Sequence, residues 1–153
     1  MDNNSKFAIF AEIKDYDNPL IMTGLTFGRL IDDIVIPYEE KKPLFIDGAL
    51  IVRDNLRKIK IVKEAAGFDS SLGMLHRNMR IGSVPGSKLL VEQYHIRLEA
   101  LLREFGEDVT SQVIKAYDTA IKPKLTDYLP KRTEIIEAGM KVLFEGLKSL
   151  GGG

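Results

Sequence analysis

The chain has 153 residues, 44% of them apolar and 29% charged, with 22 basic and 22 acidic side chains and no cysteine. That size and composition suit one folded domain or one domain with a helical extension. They exclude a disulfide framework, a thiol nucleophile and a zinc knuckle, and the zero net charge supplies no overall pull toward nucleic acid or an anionic membrane.

The first residues, Met1-Asp2-Asn3-Asn4-Ser5, are polar and acidic, unlike a signal peptide. No apolar run reaches the ~20 residues that span a bilayer, so a cytoplasmic protein without membrane insertion is expected. Phe7 to Ile13 predicts a strand with Phe7, Ile9, Ala11 and Ile13 on one face. Ala8 and Phe10 make the second face partly apolar, which predicts an interior strand. Asp15-Tyr16-Asp17-Asn18-Pro19 is a turn, and Leu20-Ile21-Met22 predicts a short second strand. Thr26 is a candidate N-cap for a helix with Phe27, Leu30, Ile31, Ile34 and Val35 on one stripe, and Pro37 is expected to stop it.

Asp47-Gly48 between Leu44-Phe45-Ile46 and Ala49-Leu50-Ile51-Val52 predicts a tight hairpin, because the turn needs positive φ at both positions. Lys58-Ile59-Lys60-Ile61-Val62 alternates and predicts a half-exposed edge strand guarded by lysines. Beyond Gly67 the apolar period lengthens to that of helices. Asp69 or Ser70 can cap a short helix with Leu72, Leu75 and Met79 on one face. Ile81 to Ser87 is dense in Gly, Pro and Ser and predicts a linker.

A long helix then places Leu90, Tyr94, Leu98, Leu101, Leu102 and Phe105 inward and stops at Gly106. Asp108 can cap the next, with Val109, Val113, Ala116, Tyr117, Ala120 and Ile121 inward, ended by Pro123. A turn through Leu125, Tyr128 and Leu129 leads to Pro130. The last helix starts near Arg132, with Ile136, Met140, Leu143, Leu147 and Leu150 inward, and ends at Gly151.

The expected fold class is α+β: a small β-rich N-terminal unit over 1–66 with about four or five strands and one helix, a short helix and linker over 67–87, a helical bundle of about three helices over 88–150, and a glycine tail over 151–153. Strand, strand, helix, the Leu44–Leu50 hairpin and a last strand at Lys58–Lys63 form an order that resembles the β-grasp, and the terminal triple glycine is similar to that of ubiquitin-like modifiers. Here the tail follows the helical half instead of the last strand, so no functional residue carries over.

Three patterns compete as functional signals. His95 shares a helix face with Glu92 and Glu99, a conceivable acid–base or metal cluster and an alternative site for a small enzyme or ligand-binding protein. A solvated helix with ordinary charge pairing is the plainer reading, since this spacing supplies too few ligands for a closed metal site. His76 beside Arg77 is read as a solvated helix end, the acidic Asp15–Asn18 stretch lacks the glycine and glutamate of a calcium loop, and Gly82–Lys88 lacks the order and preceding strand of a phosphate loop. No catalytic residue, cofactor site or metal set is identified.

The charge is uneven: residues 1–52 sum to −4, residues 53–88 to +5 and residues 89–153 to −1. Arg53, Arg57, Lys58, Lys60, Lys63, Arg77, Arg80 and Lys88 therefore form a candidate anion or nucleic-acid patch. No interleaved aromatic residue offers base stacking, and a guarded strand edge explains the lysines more simply.

On the last helix, Gly139 and Gly146 lie seven residues apart, and Ile135, Leu143, Phe144, Leu147 and Leu150 spread apolar surface widely. This predicts either a partner interface or a helix central to its own bundle. The leading expectation is a non-enzymatic interaction or adaptor protein that self-associates through its C-terminal helices. A nucleic-acid-associated protein is the alternative.

Overall fold

The computed structural model describes residues 5–81, 88–125 and 132–150. It is α+β, with an antiparallel sheet built mainly from the first half and helices dominating the second. The strands are β1 (Phe7–Ile13), β2 (Leu20–Leu25), β3 (Leu44–Ile46), β4 (Ala49–Ile51), β5 (Leu56–Glu64) and β6 (Gly106–Asp108). Four of them form one sheet in the order β2-β1-β5-β6, and β3 and β4 form a separate two-stranded sheet. The hairpin therefore does not join the main sheet as the β-grasp order implied. Among the described residues, no helix is long and apolar enough to cross a membrane.

Turn chemistry explains the junctions. Asp47 (φ 51°) and Gly48 (φ 80°) both adopt the left-handed conformation that the β3–β4 turn demands. Gly24 does so at φ 71°, where β2 carries one residue more than β1 between the pairs Phe7–Leu25 and Ile9–Met22. That bulge extends β2 beyond the three residues expected. Thr26 caps α1 (Phe27–Arg29), its Oγ1 accepting the Arg29 N–H at 3.2 Å.

Pro37 does not stop the helix. A wide π segment, Leu30–Val35, follows α1 and leads into α2 (Ile36–Glu39), with the Ile36 N–H bonded to the Ile31 carbonyl five residues back. Before Pro123, α5 (Thr110–Ala116) likewise widens into a π segment, Tyr117–Ile121, with the Lys122 N–H bonded to the Tyr117 carbonyl, but only a 3₁₀ turn, Lys122–Lys124, follows, so the helix ends at this proline as expected. In each case the residue before the proline makes the long-range bond. A proline ring in a regular helix collides with the carbonyl four residues back; a widened turn relieves that collision, and at Pro37 the helix continues through it.

α3 (Phe68–Ile81) begins just after Gly67 (φ 87°), earlier than Asp69 or Ser70 would place it, and buries Phe68, Leu72 and Leu75. α4 (Lys88–Phe105) buries Tyr94, Leu98 and Leu101. It stops at Gly106, which is no left-handed cap but the first residue of β6. A Cβ at Gly106 would press on Val62 and Phe68, so the glycine answers a close approach between strands and helix. β6 hydrogen-bonds to Val62–Glu64, which places β5 inside the sheet at that end. The expected edge strand thus has neighbours on both sides there. α6 (Arg132–Leu150) completes the fold. The linker at 82–87, the turn through Tyr128, Leu129 and Pro130, the tail at 151–153 and the side chains of Met79 and Leu90 lie outside the described residues.

The sheet is covered on both faces. Phe7, Ile9, Ala11, Ile13, Ile59 and Ile61 pack against α1, α2, α5, α6 and the π segments in one core. Ala8, Phe10 and Val62 pack against α3 and α4 in a second. The C-terminal helices divide between these faces, because both faces of β1 are apolar and each needs cover.

Candidate functional site

A concavity lies at one end of the face covered by α4. It depends on a fault in strand periodicity. Leu56 and Ile59 both enter the first core, although they are three residues apart and a regular strand would send them to opposite faces. The structure resolves the conflict with a bulge: Glu12 pairs with Lys58, but Ile13 pairs with Leu56, so Arg57 is the extra residue. Arg57 and Lys58 are both exposed and both line the cleft. Bulges re-aim side chains in this way. Lys60, opposite Phe10 and on the same face as Lys58, adds a third cation.

These cations line a cleft of about 260 Å³ with Phe10, Ile13, Leu98 and Leu102 as apolar lining. Tyr16, Asp17, Asn18 and Pro19 of the β1–β2 loop form one wall, and His95 and Glu99 of α4 another. His95 Nε2 lies 3.0 Å from the Asp17 carbonyl, which accepts its hydrogen bond and ties the loop to the helix. The bond requires a proton on Nε2. A second hollow, about 370 Å³, shares Lys60, Glu99 and Leu102 with the first and continues toward Arg103 and Asp108. Glu12, Asp17 and Glu99 thus stand around the same cleft as Arg57, Lys58 and Lys60. Among the described residues no ion pair joins any of them; the close pairs are Arg29–Asp33 and Lys42–Glu40 elsewhere.

Two other polar groups are structural. The Tyr94 hydroxyl and His76 Nε2 are 2.8 Å apart and tie α4 to α3. Burial pushes the Tyr94 phenol up to about 12, so it is neutral near pH 7. At the far end of the same sheet face, Glu64 Oε2 accepts the Gly24 N–H at 2.7 Å. Desolvation raises the Glu64 carboxyl above its ordinary range, the Gly24 bond opposes this, Asp69 adds to it and Lys6 opposes it.

The second feature is the outer face of the β3–β4 hairpin. Phe45 and Leu50 are a directly opposed cross-strand pair, 63% and 57% exposed, and Val52 beside them is 52% exposed. The alternate residues Leu44, Ile46 and Ile51 are buried in the first core. The hairpin is therefore anchored on one face and bare and apolar on the other. Both of its runs are continuously apolar in sequence, which resembles a strand buried on two sides; the exposed face carries no signal of its own.

The expected basic patch is distributed over several surfaces. Arg57, Lys58 and Lys60 meet at the cleft. Arg53 instead stacks on Tyr38, 3.9 Å from the ring centre, and its Nε donates to the Tyr38 carbonyl at 3.3 Å. Lys63 lies on the opposite sheet face with its Nζ 5.7 Å from the Phe144 ring centre. Arg77 is exposed on α3. The side chains of Arg80 and Lys88 lie outside the described residues.

Of the seven residues expected at an interface on α6, three have internal roles. Ile135 and Leu143 are buried in the first core. A Cβ at Gly139 would overlap the Ile121 side chain, so this glycine admits the neighbouring π segment. Phe144, Gly146 and Leu147 are half-buried, and Gly146 has open space around it. The Leu150 side chain lies outside the described residues. Glu92 is exposed on α4 and does not line the cleft. Among the described residues, no three His, Asp or Glu side chains gather as a metal site.

No protein-family model matches the chain, and neither a curated protein nor a solved structure matches it.

Proposed function

We propose that the protein is a non-enzymatic interaction module that self-associates, and that the associating surface is the outer face of the β3–β4 hairpin instead of the last helix. One observation carries this reading: Phe45, Leu50 and Val52 stand together and exposed on a hairpin whose other face is fixed in the core. Contiguous exposed apolar side chains on a rigid support are the usual mark of a docking surface. The two-stranded sheet also carries strand edges that neither joins the main sheet, and an unpaired edge is a template for another strand.

A second copy fits the chemistry of this face. In an antiparallel pairing of two β4 strands centred on Leu50, Ala49 of each copy meets Ile51 of the other. Asp47 of each approaches Arg53 of the other, so opposite charges flank the apolar centre. Such an arrangement is isologous and closes as a dimer. The patch is small, so the dimer is expected to be weak, with a Kd on the order of micromolar or above. Light scattering and sedimentation across a concentration series test it. The wild-type chain should gain mass with concentration, and Leu50→Asp should hold it monomeric without loss of fold. A wild-type chain that stays monomeric up to about millimolar concentration, or a Leu50→Asp variant that associates as well as the wild type, overturns the reading.

A further inference from the structure

We infer that the cleft between β5 and α4 binds a small zwitterion with an apolar body, the chemical class of an apolar α-amino acid. The site is separate from the hairpin face and does not depend on it.

The inference starts from the bulge. Leu56 and Ile59 both anchor in the first core, and this turns Arg57 out beside Lys58. With Lys60 they bring three cations of one strand to one end of the sheet. The carboxylates come mostly from other elements: Glu99 from α4 and Asp17 from a loop held by His95. Phe10, Leu98 and Leu102 add apolar surface to the same cleft. Among the described residues these opposed charges do not close on one another as ion pairs. They remain available to a molecule that carries both signs, with its carboxylate toward the strand cations, its ammonium toward Glu99 and Asp17, and its side chain on the apolar lining.

Size and charge narrow the class. The cleft, at about 260 Å³, falls just below the ~300–1,000 Å³ of pockets that hold drug-sized ligands. It suits one ring or one branched chain. A polyanion would have to pass Glu12, Asp17 and Glu99, and like-charge contacts of that kind are unfavourable. The cleft is therefore a poor track for a nucleic-acid backbone.

Titration of the full-length ¹⁵N-labelled chain with L-phenylalanine, followed by amide NMR, tests the inference. Shifts are expected at Glu12, in the Tyr16–Asn18 loop, at Arg57, Lys58 and Lys60, and along α4 at His95 and Glu99. Two analogues divide the claim: 3-phenylpropionate lacks the ammonium, and 2-phenylethylamine lacks the carboxylate. Each should bind at least about tenfold more weakly than the amino acid. Arg57→Ala and Glu99→Gln, both at exposed side chains that leave the core intact, should each weaken phenylalanine about tenfold. Leu50→Asp should leave its affinity unchanged while abolishing any dimer, so the two proposals fail separately. Absence of shifts up to about 10 mM, shifts confined to another surface, or an analogue that binds as well as phenylalanine would each overturn the inference.

Discussion

The two faces of β1 are built from the same seven residues and meet different ends. Toward α1, α5 and α6 the face is apolar along its whole length, and Phe7 meets Phe27 edge-on with ring centres 6.0 Å apart. Toward α3 and α4 only Ala8 and Phe10 are apolar; Phe10 meets Phe68 edge-on at 6.2 Å, and the next residue on that face is Glu12. β5 repeats the contrast, with Ile59 and Ile61 on the first face and Val62 giving way to Lys60 and Lys58 on the second. A continuous apolar face is sealed by helices from both halves of the chain. A face that changes from apolar to charged is covered only where it is apolar, and the cleft opens where the charge begins. Position along a strand face, more than helix count, sets where the main sheet is left open.

The largest expected effect tests that contrast directly. Phe7→Ala removes a fully buried ring from the sealed face and should destabilise the protein by about 3–5 kcal/mol. Phe10 is nearly as buried, but its ring also lines the open cleft. Water and neighbouring side chains can fill part of the space left by Phe10→Ala, so its cost should fall at least ~1 kcal/mol short of that of Phe7→Ala. Chemical denaturation of both variants decides the matter; equal losses would mean that the second face is sealed as tightly as the first.

Much of this architecture was legible, because some residues admit only one local geometry. Asp47-Gly48 specified the hairpin, Thr26 the helix start, and Ala8 with Phe10 the need for cover on a second face. Three features were illegible for physical reasons. Pro37 breaks a regular helix, and only a widened turn, which leaves no mark in composition, lets the helix pass it. Gly106 reads as a helix stop, and its pairing with β5 is a long-range contact. The bulge at Arg57 could have been found: Leu56 and Ile59, three apart within a strand pattern, already conflict with a period of two. The exposed hairpin face could not, since Phe45 and Leu50 look the same in sequence whether or not something covers them.

A smaller effect, of opposite sign at two positions, separates sealed from open surface within α6. Ala is the better helix former by about 1 kcal/mol at any glycine in a helix interior. Gly146 has nothing within 4 Å of where a Cβ would stand, so Gly146→Ala should stabilise by up to about 1 kcal/mol. At Gly139 the new methyl would collide with Ile121, and overpacking of about 1–3 kcal/mol should outweigh the propensity gain. Thermal melts of the two single variants suffice. Stabilisation by both would mean that Ile121 moves aside freely and that the helix is not held against the sealed face.

The smallest effect lies at the far end of the open face, where Glu64 sits between the Gly24 N–H and Asp69. Its carboxyl is raised above the ordinary range chiefly by desolvation. A raised acid stabilises the fold fully only below its unfolded pKa, and that contribution is lost as pH climbs through the folded value. At neutral pH the charged form is therefore a liability. Glu64→Gln removes the charge but keeps a carbonyl that can accept the Gly24 N–H. The variant should be more stable than the wild type near pH 7, by less than about 1 kcal/mol because the group is half exposed and screened. Its advantage should shrink as pH falls toward about 4, where the wild-type carboxyl is itself neutral. Melting temperatures of both proteins across that range test the sign. An advantage that grows in acid would mean that the Gly24 bond, which favours the charged carboxylate, outweighs desolvation, and that this end of the face is wetter than its packing implies.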